Sequence, residues 1–585
     1  MTELDDKTVA VIRGLAMDGP HAARSGHQGT AMSLAPAAHV LWSRIMRFDA
    51  TRPDWFDRDR FILSPGHASI LQYALLHLYG FGLELEDLRQ FRQWGSRTPG
   101  HPEAGFTPGV EVTTGPLGQG LANATGMAIA EANLRARLGS DVCDHHIFGL
   151  CSDGDLEEGV SHEAASLAGH LGLGRIVFVY DDNRISIDGP TSLSFSDDTA
   201  GRFRSYGWDV REVGAVGEDL DALEAAIRAG MEVEDKPTLI VLQTEIGFPA
   251  TRSTGHHSAH GYAIFDDEIA ETKEVLGLPP DETFHVPDDV LDHCRRAGVR
   301  GASERSEWDA RIEAFTGDRA LLDAVLHGRL PDGWQDVVPA YEAGAGVATR
   351  VASGAALQAL VDTVPTLVGG GADLTGNTGT TIRNHGVFAR ADHGGRQLYF
   401  GIREHGMGAA MVGMAAHGGL FAVGGTFLVF SDYMRGAVRL AALSHMPMVF
   451  SWTHDSVGVG EDGPTHQPIE QIAALRAMPD LDVWRPADAN EVNAAWLIAV
   501  EHDGPTAMIL SRQKVPVLAG TADHEKVRRG AYVLADGPNG PDVVLIGTGS
   551  EVQHCLAASA ALAVVGITAR VVSMPCAEVF DRQDE

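Results

Sequence analysis

The strongest constraint in the sequence is a pair of polar turns, each placed directly after a run of buried-strand character. Residues 146–150 (His-Ile-Phe-Gly-Leu) are almost entirely apolar and lead into Cys-Ser-Asp-Gly-Asp at 151–155. Residues 176–180 (Ile-Val-Phe-Val-Tyr) lead into Asp-Asp-Asn at 181–183, after a helix-like segment at 160–171. In such a βαβ unit the two parallel strands end at the same edge of the sheet, where ligands of α/β proteins bind. The pattern therefore predicts a ligand site at that edge.

The polar groups at this edge are oxygen donors. Asp153 offers a carboxylate, Asn183 offers an amide oxygen, and the backbone nearby offers a carbonyl. Such hard ligands suit Mg²⁺ or Ca²⁺ that holds a diphosphate, rather than Zn²⁺. A single Asp-Gly pair is usually an ordinary turn. Two polar turns at successive strand ends indicate a metal-diphosphate cofactor.

The chain is acidic, with 45 Lys and Arg against 79 Asp and Glu and a formal net charge of −34. This balance argues against nucleic acid and anionic membranes as partners. The N-terminus lacks the basic and apolar regions of a leader, and no apolar run reaches membrane-spanning length, so we expect a cytoplasmic protein. The five cysteines are odd in number and scattered, which indicates reduced, structural thiols.

The length of 585 residues requires several domains. Alternating helix-like and strand-like segments predict a doubly wound α/β domain from the N-terminus to about residue 243, and a second α/β series over about 349–516, with a connecting region between them. We place the domain bounds at 1–314 and 315–522. A third α/β series occupies 523–585, where we expect two strands, at 542–546 and 569–573, and one helix. A two-stranded sheet is marginal alone, so this domain is expected to be short and truncated, either as a fragment or by nature.

Four histidines of the first domain lie beside glycine or proline rather than on apolar helical faces: His27, His67, His101 and His260. Glycine allows close approach to a ligand, and histidine donates to phosphate or relays protons near neutral pH. One Gly-His pair is usually a loop feature, but four in one region indicate a site. The turn at 114–120 (Thr-Gly-Pro-Leu-Gly-Gln-Gly) is glycine-rich and lacks the Walker lysine, so it fits a flat ring as well as a phosphate.

The second domain carries three further patterns. Residues 401–406 (Gly-Ile-Arg-Glu-His-Gly) place an acid between cationic groups, and 424–430 with Tyr433 form an aromatic cluster that is either core or a cradle for a heteroaromatic ring. Residues 453–466 combine glycine, acids and histidines, which pack poorly and indicate a binding loop.

Taken in this order, these segments closely resemble the transketolase family, over nearly the whole chain from residue 12 to residue 582. The resemblance implies a diphosphate-binding domain, a pyrimidine-binding domain and a smaller C-terminal domain. It also implies thiamine diphosphate and Mg²⁺ as cofactors, with Ca²⁺ or Mn²⁺ as possible substitutes. A homodimer is implied as well, with each active site shared between the first domain of one chain and the second domain of the other.

The resemblance also implies roles for single residues. The metal ligands would be Asp153, Asn183 and the carbonyl of Ile185. The cofactor would be contacted by His67, Gly115, Pro116, Leu117, Gly154, Glu158, Asn183, His260, Glu404, Phe427, Phe430 and Tyr433. Glu404 would hydrogen-bond N1′ of the aminopyrimidine, which the chemistry demands because protonation there favours the tautomer that deprotonates the thiazolium.

On the substrate side, the residues implied at the reaction centre are the histidines His27, His101, His260 and His466, which with Glu404 form the catalytic set. Asp462 would read a sugar hydroxyl. The substrate phosphate would be held by Arg350, Asn377, His454 and Arg512, a local positive patch within an acidic chain.

The implied activity is transfer of a two-carbon ketol unit from a ketose phosphate such as xylulose 5-phosphate to ribose 5-phosphate or erythrose 4-phosphate, as in the pentose phosphate pathway and the Calvin cycle. One alternative is dihydroxyacetone synthase, which takes formaldehyde as acceptor. Deoxyxylulose phosphate synthase is disfavoured by the Gly-His-Pro-Glu segment at 100–103. A non-catalytic homologue acting as a partner subunit is favoured by the short C-terminal domain and disfavoured by Glu404 and the metal pair.

Three positions depart from the family pattern. Gln28 replaces a common proline after His27, which we expect to loosen that loop. Ser152 replaces the first glycine of Gly-Asp-Gly, which is tolerable if its φ stays negative. Asn377 replaces a phosphate-contacting serine and still offers a donor.

Overall fold

A computed structural model describes residues 2–537 and 540–584, and the chain divides into two compact units, one ending at Gly317 and the other beginning at Asp318. None of the helices in these described ranges combines the length and the apolar character that crossing a bilayer requires. All five cysteines are free thiols.

The first unit is built on a five-stranded parallel sheet in the order β1-β2-β3-β5-β4. Its strands are β1 (Arg60–Leu63), β2 (Ile147–Ser152), β3 (Ile176–Asp182), β4 (Asp209–Gly214) and β5 (Thr238–Gln243). Its helices are α1 (Glu3–Ala23), α2 (Gly29–Ser33), α3 (Ala35–Val40), α4 (Ser69–Tyr79), α5 (Leu85–Arg89), α6 (Gln119–Leu138), α7 (Asp153–Glu157), α8 (Gly159–Leu171), α9 (Thr199–Ser205), α10 (Leu220–Met231), α11 (Asp266–Val275), α12 (Asp288–Gly298) and α13 (Ala302–Ala314).

The predicted βαβ unit is confirmed as β2, α7, α8 and β3. Every residue of β2 is buried, as expected for a parallel strand with both faces covered. Gly149 in the middle of β2 leaves room for the ring of Phe178 on β3, since a Cβ at Gly149 would lie 2.1 Å from that ring. The two strands therefore pack closely, and their carboxyl ends lie side by side, with Ser152 opposite Asp181.

The second unit contains a six-stranded parallel sheet in the order β11-β12-β10-β9-β7-β8. Its strands, with those of two smaller sheets, are β6 (Gly346–Ala348), β7 (Leu367–Gly371), β8 (Gln397–Tyr399), β9 (Phe421–Phe427), β10 (Met448–Thr453), β11 (Asp482–Trp484), β12 (Pro505–Leu510), β13 (Lys514–Pro516), β14 (Tyr532–Ala535), β15 (Val543–Gly547) and β16 (Ala569–Ser573). Its helices are α14 (Arg319–His327), α15 (Thr349–Thr363), α16 (Thr375–Thr378), α17 (Glu404–His417), α18 (Arg435–Leu443), α19 (Gln471–Arg476), α20 (Ala489–Glu501), α21 (His524–Val527), α22 (Val552–Val564) and α23 (Ala577–Asp581).

The C-terminal sheet corrects one prediction. It has three strands in the order β14-β16-β15, not two, because β14 pairs antiparallel with β16. A second helix, α23, follows β16. Strand β14 is four residues long and its pairing shifts between Val533 and Ala535, so it lacks the regular alternation that sequence patterns detect.

Candidate functional site

The carboxyl ends of β2 and β3, here called the metal edge because a metal site is predicted there, hold their oxygen donors in fixed positions. Asp153 begins α7, and its carboxylate accepts the hydroxyl of Tyr180 at 2.6 Å and the N–H of Arg184 at 3.0 Å. Asn183 follows β3, and its side-chain oxygen accepts the N–H of Ile185 at 2.9 Å. The three predicted ligands lie in the two turns at the carboxyl ends of β2 and β3. Each acceptor oxygen has a second lone pair that can bind a metal ion.

Negative charge is concentrated at this edge. Burial, with the neighbouring carboxylates Asp181 and Asp182, raises the pKa of Asp153 to about 7. Burial also raises the pKa of Asp181 to about 6. Buried carboxylates are costly without a compensating charge. A divalent cation supplies that charge, so these residues fit a metal of the Mg²⁺ or Ca²⁺ type.

A cavity of about 350 Å³ adjoins the metal edge. Its lining includes Thr30, His67, Leu117, Ser152, Asp153, Gly154, Asn183, Ile185, Ser186, Ile187, Asp188 and His260. A Cβ at Gly154 would lie 2.8 Å from the side chain of Leu117, so glycine permits the close approach of the turn at 114–120. Gly115 of that turn has φ +130° and lies against the ring of His101. Glu158 is exposed at the start of α8 and lies against Gly118, and Pro116 is exposed beside Leu117.

Three of the predicted histidines form one cluster. The ring centroids of His27 and His67 lie 5.0 Å apart, those of His67 and His260 lie 4.8 Å apart, and those of His27 and His260 lie 5.6 Å apart. Within residues 2–537 and 540–584, one buried ring nitrogen of each has no hydrogen-bond partner: Nδ1 of His27, Nε2 of His67 and Nδ1 of His260. Unpaired buried polar atoms demand an explanation. A polyanion such as a diphosphate would accept from them, so the cluster fits the predicted cofactor.

Burial favours the neutral imidazole in the three clustered histidines and in His101. Burial first, and then the neighbouring charges of His260 and Arg92, lowers the pKa of His27 to about 4. Burial likewise lowers the pKa values of His67, His101 and His260. A neutral imidazole both donates and accepts, which suits proton exchange with hydroxyl groups.

Two important residues escaped prediction. The guanidinium of Arg92 donates to the hydroxyl of Ser25 at 3.2 Å and to the carbonyl of Gly100 at 3.3 Å, and it is close enough to affect the histidines. No sequence signal distinguishes it from a surface arginine. Asp155 is fully buried and accepts four hydrogen bonds from three segments. The Ser-x-x-Asp spacing of a capping box could have identified it as a helix cap, but not its bonds to Ser64 and Gly118.

Glu404 and the aromatic residues lie in the second unit. Glu404 is the first residue of α17, and its carboxylate accepts the hydroxyl of Thr426 at 3.4 Å. The rings of Phe427 and Phe430 lie 5.8 Å apart, and those of Phe430 and Tyr433 lie 5.9 Å apart. Tyr433 is 68% exposed, so this group is an accessible aromatic surface and not buried core. It fits a heteroaromatic ring.

Arg350, His454 and Arg512, here called the cationic group, lie near the aromatic surface. The ring of His454 lies 3.9 Å from that of Phe427, and its Nε2 lies 3.4 Å from a carboxylate oxygen of Asp462. Asp462 also lies 3.9 Å from Nε of Arg512. The backbone N–H of Arg350 donates to the carbonyl of Ser511, the residue before Arg512, at 3.4 Å. Burial and the charge of Arg512 lower the pKa of Arg350.

Two other predicted residues belong to the same region of the second unit. The ring of His466 lies 5.6 Å from that of Phe427 and 5.3 Å from that of Phe430. The side chain of Arg350 donates to the backbone carbonyl of Asn377 at 3.0 Å, so Asn377 lies beside the cationic group with its side chain exposed.

The departures from the family pattern also have structural outcomes. Gln28 was expected to loosen its loop, and this prediction is wrong. Its buried amide donates to the carbonyls of Met17 and Ile264 at 3.2 and 3.1 Å and accepts the N–H of Ile264 at 3.0 Å, so it secures the loop. Ser152 keeps a negative φ of −129°, as its replacement of glycine requires, and caps α7.

Comparison with known proteins identifies the family. The chain matches the family models for the transketolase thiamine diphosphate binding domain over residues 4–333 and the transketolase pyrimidine binding domain over residues 345–517. The chain belongs to the transketolase family. Residues 530–585 match the transketolase-like C-terminal domain.

Individual transketolases agree with this assignment over the whole chain. The transketolase of Mycobacterium bovis is 50% identical, with 100% of this chain and 87% of that protein aligned. The transketolase of Halalkalibacterium halodurans is 48% identical, with 99% and 88% aligned. The structure is similar to that of Pichia stipitis transketolase in complex with sedoheptulose 7-phosphate, with a TM-score of 0.97, 43% identity and coverage of 100% of this chain and 88% of that one.

Proposed function

We propose that this protein catalyses the transketolase reaction, the reversible transfer of a two-carbon ketol unit from a ketose phosphate to an aldose phosphate. The observation that carries the proposal is the cavity of the first unit. Its lining places His67 and His260, whose buried nitrogens are unpaired in the described residues, beside Asp153 and Asn183. Such a site suits a metal ion and a diphosphate together. The named transketolases support the same conclusion.

The metal would be Mg²⁺, held by Asp153, Asn183 and the carbonyl of Ile185. The diphosphate would accept hydrogen bonds from His67 and His260, and the turn at 114–120 would contact the cofactor over Gly154. Bound thiamine diphosphate would supply the nucleophilic carbon and the electron sink that cleavage of a ketose C2–C3 bond requires.

Glu404 would hold a proton at N1′ of the aminopyrimidine. Its carboxylate accepts the hydroxyl of Thr426, the residue before Phe427. The rings of Phe427, Phe430 and Tyr433 would contact the aminopyrimidine. A carboxylate is required there because only an acid–base group can share that proton.

The remaining residues would bind and orient the sugar phosphates. His27, His101, His260 and His466 would exchange protons with substrate hydroxyls and donate to oxygen atoms that gain negative charge. Asp462 would accept a hydrogen bond from a hydroxyl.

The substrate phosphate would be held by the cationic group of the second unit. Arg350 and Arg512 can each make bidentate contacts, and His454 and Asn377 add single donors. The complex of the Pichia stipitis enzyme with sedoheptulose 7-phosphate supports a sugar phosphate as the substrate class.

Three further parts of the proposal follow from the family. The enzyme would act as a homodimer in which each site combines the first unit of one chain with the second unit of its partner, with Glu158 near that interface. It would act in the cytoplasm, in pentose phosphate metabolism. Its domains would be residues 1–314, 315–522 and 523–585.

The test is direct. Purified protein with Mg²⁺ and thiamine diphosphate is supplied with xylulose 5-phosphate and ribose 5-phosphate, and sedoheptulose 7-phosphate is measured. We expect its formation to require both cofactors. Absence of product from protein that demonstrably binds thiamine diphosphate would refute the proposal.

A further inference from the structure

The segment that carries His454, Asp462 and His466 is residues 453–466, here called the substrate loop. Its first residue, Thr453, ends β10, and the next two are also buried, His454 at 3% and Asp455 at 2% exposure. His454 has φ +68°, an unusual value for a residue other than glycine. Such a conformation persists only where its surroundings impose it. The contacts of Asp455 therefore bear directly on the position of His454.

Asp455 is tied to parts of the chain far from it in sequence. One carboxylate oxygen accepts the guanidinium of Arg485 at 2.8 Å and the hydroxyl of Ser550 at 3.3 Å. The other accepts the hydroxyl of Ser456 at 3.2 Å. Arg485 follows β11, whereas Ser550 follows β15 of the C-terminal sheet. The start of the substrate loop is thus held from outside the loop.

Arg485 is itself held by the C-terminal sheet. It is 6% exposed, and its guanidinium donates to the carbonyl of Thr548 at 2.9 Å and contacts the carboxylate of Glu551. Its backbone N–H donates to the carbonyl of Pro575 at 2.7 Å. Gly549 lies against the side chain, since a Cβ there would be 2.6 Å from Cγ of Arg485. The guanidinium therefore joins the C-terminal sheet to Asp455.

We propose that Arg485 is a positioning residue through which the C-terminal sheet holds His454 in place for the substrate phosphate. The proposal rests on the phosphate-binding role of His454 proposed above. If Arg485 is lost or displaced, Asp455 becomes a buried carboxylate without its charged partner. The free energy then falls when the substrate loop moves this carboxylate toward water. His454, the preceding residue in a strained conformation, moves with it. The C-terminal sheet then influences substrate affinity without touching the substrate.

Two matched glycine substitutions test this from outside the loop. Gly549→Ala displaces Arg485, whereas at Gly566, also in the C-terminal sheet region, an added Cβ meets no atom within 4 Å. Both glycines have positive φ, +61° and +80°, so both variants carry similar backbone strain. Arg485→Met removes the charge directly. Arg485→Lys keeps the charge but has a single nitrogen, so it cannot reproduce the separate contacts of the guanidinium with Asp455 and Thr548.

The measurements are KM and kcat with xylulose 5-phosphate, the Kd for thiamine diphosphate, and the melting temperature. For Arg485→Met we expect KM to rise about tenfold or more, the scale of a lost hydrogen bond to a charged group, with kcat little changed. Gly549→Ala should also raise KM. The KM of Arg485→Lys should lie between those of Arg485→Met and wild type, and Gly566→Ala should leave KM unchanged. The cofactor Kd should stay constant throughout.

His454→Ala separates this inference from the proposed function. If it raises KM while the Arg485 and Gly549 variants lower only the melting temperature, Arg485 is merely structural and the inference is overturned alone. If Arg485→Met fails to fold, Gly549→Ala against Gly566→Ala decides, and equal KM values for these two would overturn the inference. Unchanged KM in His454→Ala would overturn the phosphate-binding role of His454 and the inference with it, whereas no turnover by wild type would overturn the proposed function itself.

Discussion

Removal of the Asp155 carboxylate should loosen the cofactor cavity and weaken cofactor binding. Asp155 accepts the N–H of Gly118 at 2.9 Å, the hydroxyl of Ser64 at 2.6 Å, and the N–H and hydroxyl of Ser152 at 3.0 and 3.1 Å. These donors belong to the glycine-rich turn, the segment that leads to His67 and the turn that carries Asp153. One buried side chain therefore joins the three segments that form the cavity.

The magnitude follows from the donors that Asp155→Ala leaves unpaired. The two hydroxyls can rotate toward other acceptors, but the two N–H groups cannot, and each buried unpaired donor costs about 1–3 kcal/mol. The variant also no longer buries a carboxylate whose pKa burial raises. We therefore expect a net loss of about 2–4 kcal/mol, less than the usual domain stability of about 5–15 kcal/mol. If cofactor binding must return the glycine-rich turn at 114–120 to its wild-type position, a cost of about 2 kcal/mol raises the cofactor Kd about 30-fold.

The assay combines calorimetric titration of thiamine diphosphate in excess Mg²⁺ with denaturant unfolding of the same preparation. Asp141→Ala is the control, because that carboxylate is 83% exposed in the same unit. Asp155→Asn keeps one acceptor oxygen and should lie between wild type and Asp155→Ala. A cofactor Kd within a factor of about two of wild type in Asp155→Ala, a difference of about 0.4 kcal/mol, would refute the reasoning.

Three more predictions concern single residues. Glu404→Gln should bind thiamine diphosphate nearly as tightly as wild type yet lose about 100-fold or more in kcat, measured by product formation, because the amide cannot share a proton. Gln28→Ala should lower the unfolding free energy by about 1–3 kcal/mol in denaturant titration, through loss of its buried hydrogen bonds. The third concerns His67, whose pKa is lowered well below 6.5 by burial and then by neighbouring histidines. Its contribution to stability is therefore complete above pH 6.5 and is lost as pH falls. Relative to His67→Asn, the cofactor-free protein should lose about 1.4 kcal/mol per pH unit below 6.5, and equal pH slopes would contradict this.

The parts of the fold that the sequence predicted are those determined by neighbouring residues. Strands β2 and β3 are apolar up to the polar residues at their carboxyl ends, Ser152, Asp181 and Asp182, and the helices α7 and α8 connect them. Their parallel pairing then follows from the handedness and length of the connection. Asp153 and Asn183 were therefore predictable as neighbours, because a short segment and one topological rule bring them together.

The prediction for Gln28 failed because its effect depends on a distant partner. From the sequence alone, glutamine in place of proline only adds backbone freedom. In the structure the amide bonds to Ile264, 236 residues further along the chain. The sequence around residue 28 contains no information on that contact. It therefore could not show whether Gln28 loosens or secures its loop.

The same limit separates two kinds of functional residue. His67, which we propose contacts the diphosphate, has a buried ring nitrogen, Nε2, without a hydrogen-bond partner among the described residues. Its place beside glycine and proline, rather than on an apolar helical face, made it a candidate in the sequence. A positioning residue obeys the local rules. Asp155 is an ordinary capping-box acid and Arg485 an ordinary residue after a strand, and their roles come from Ser64 and Thr548, at sequence separations of 91 and 63. Sequence patterns therefore indicate candidate ligand-binding groups such as His67, whereas only the folded chain shows which residues hold them in place.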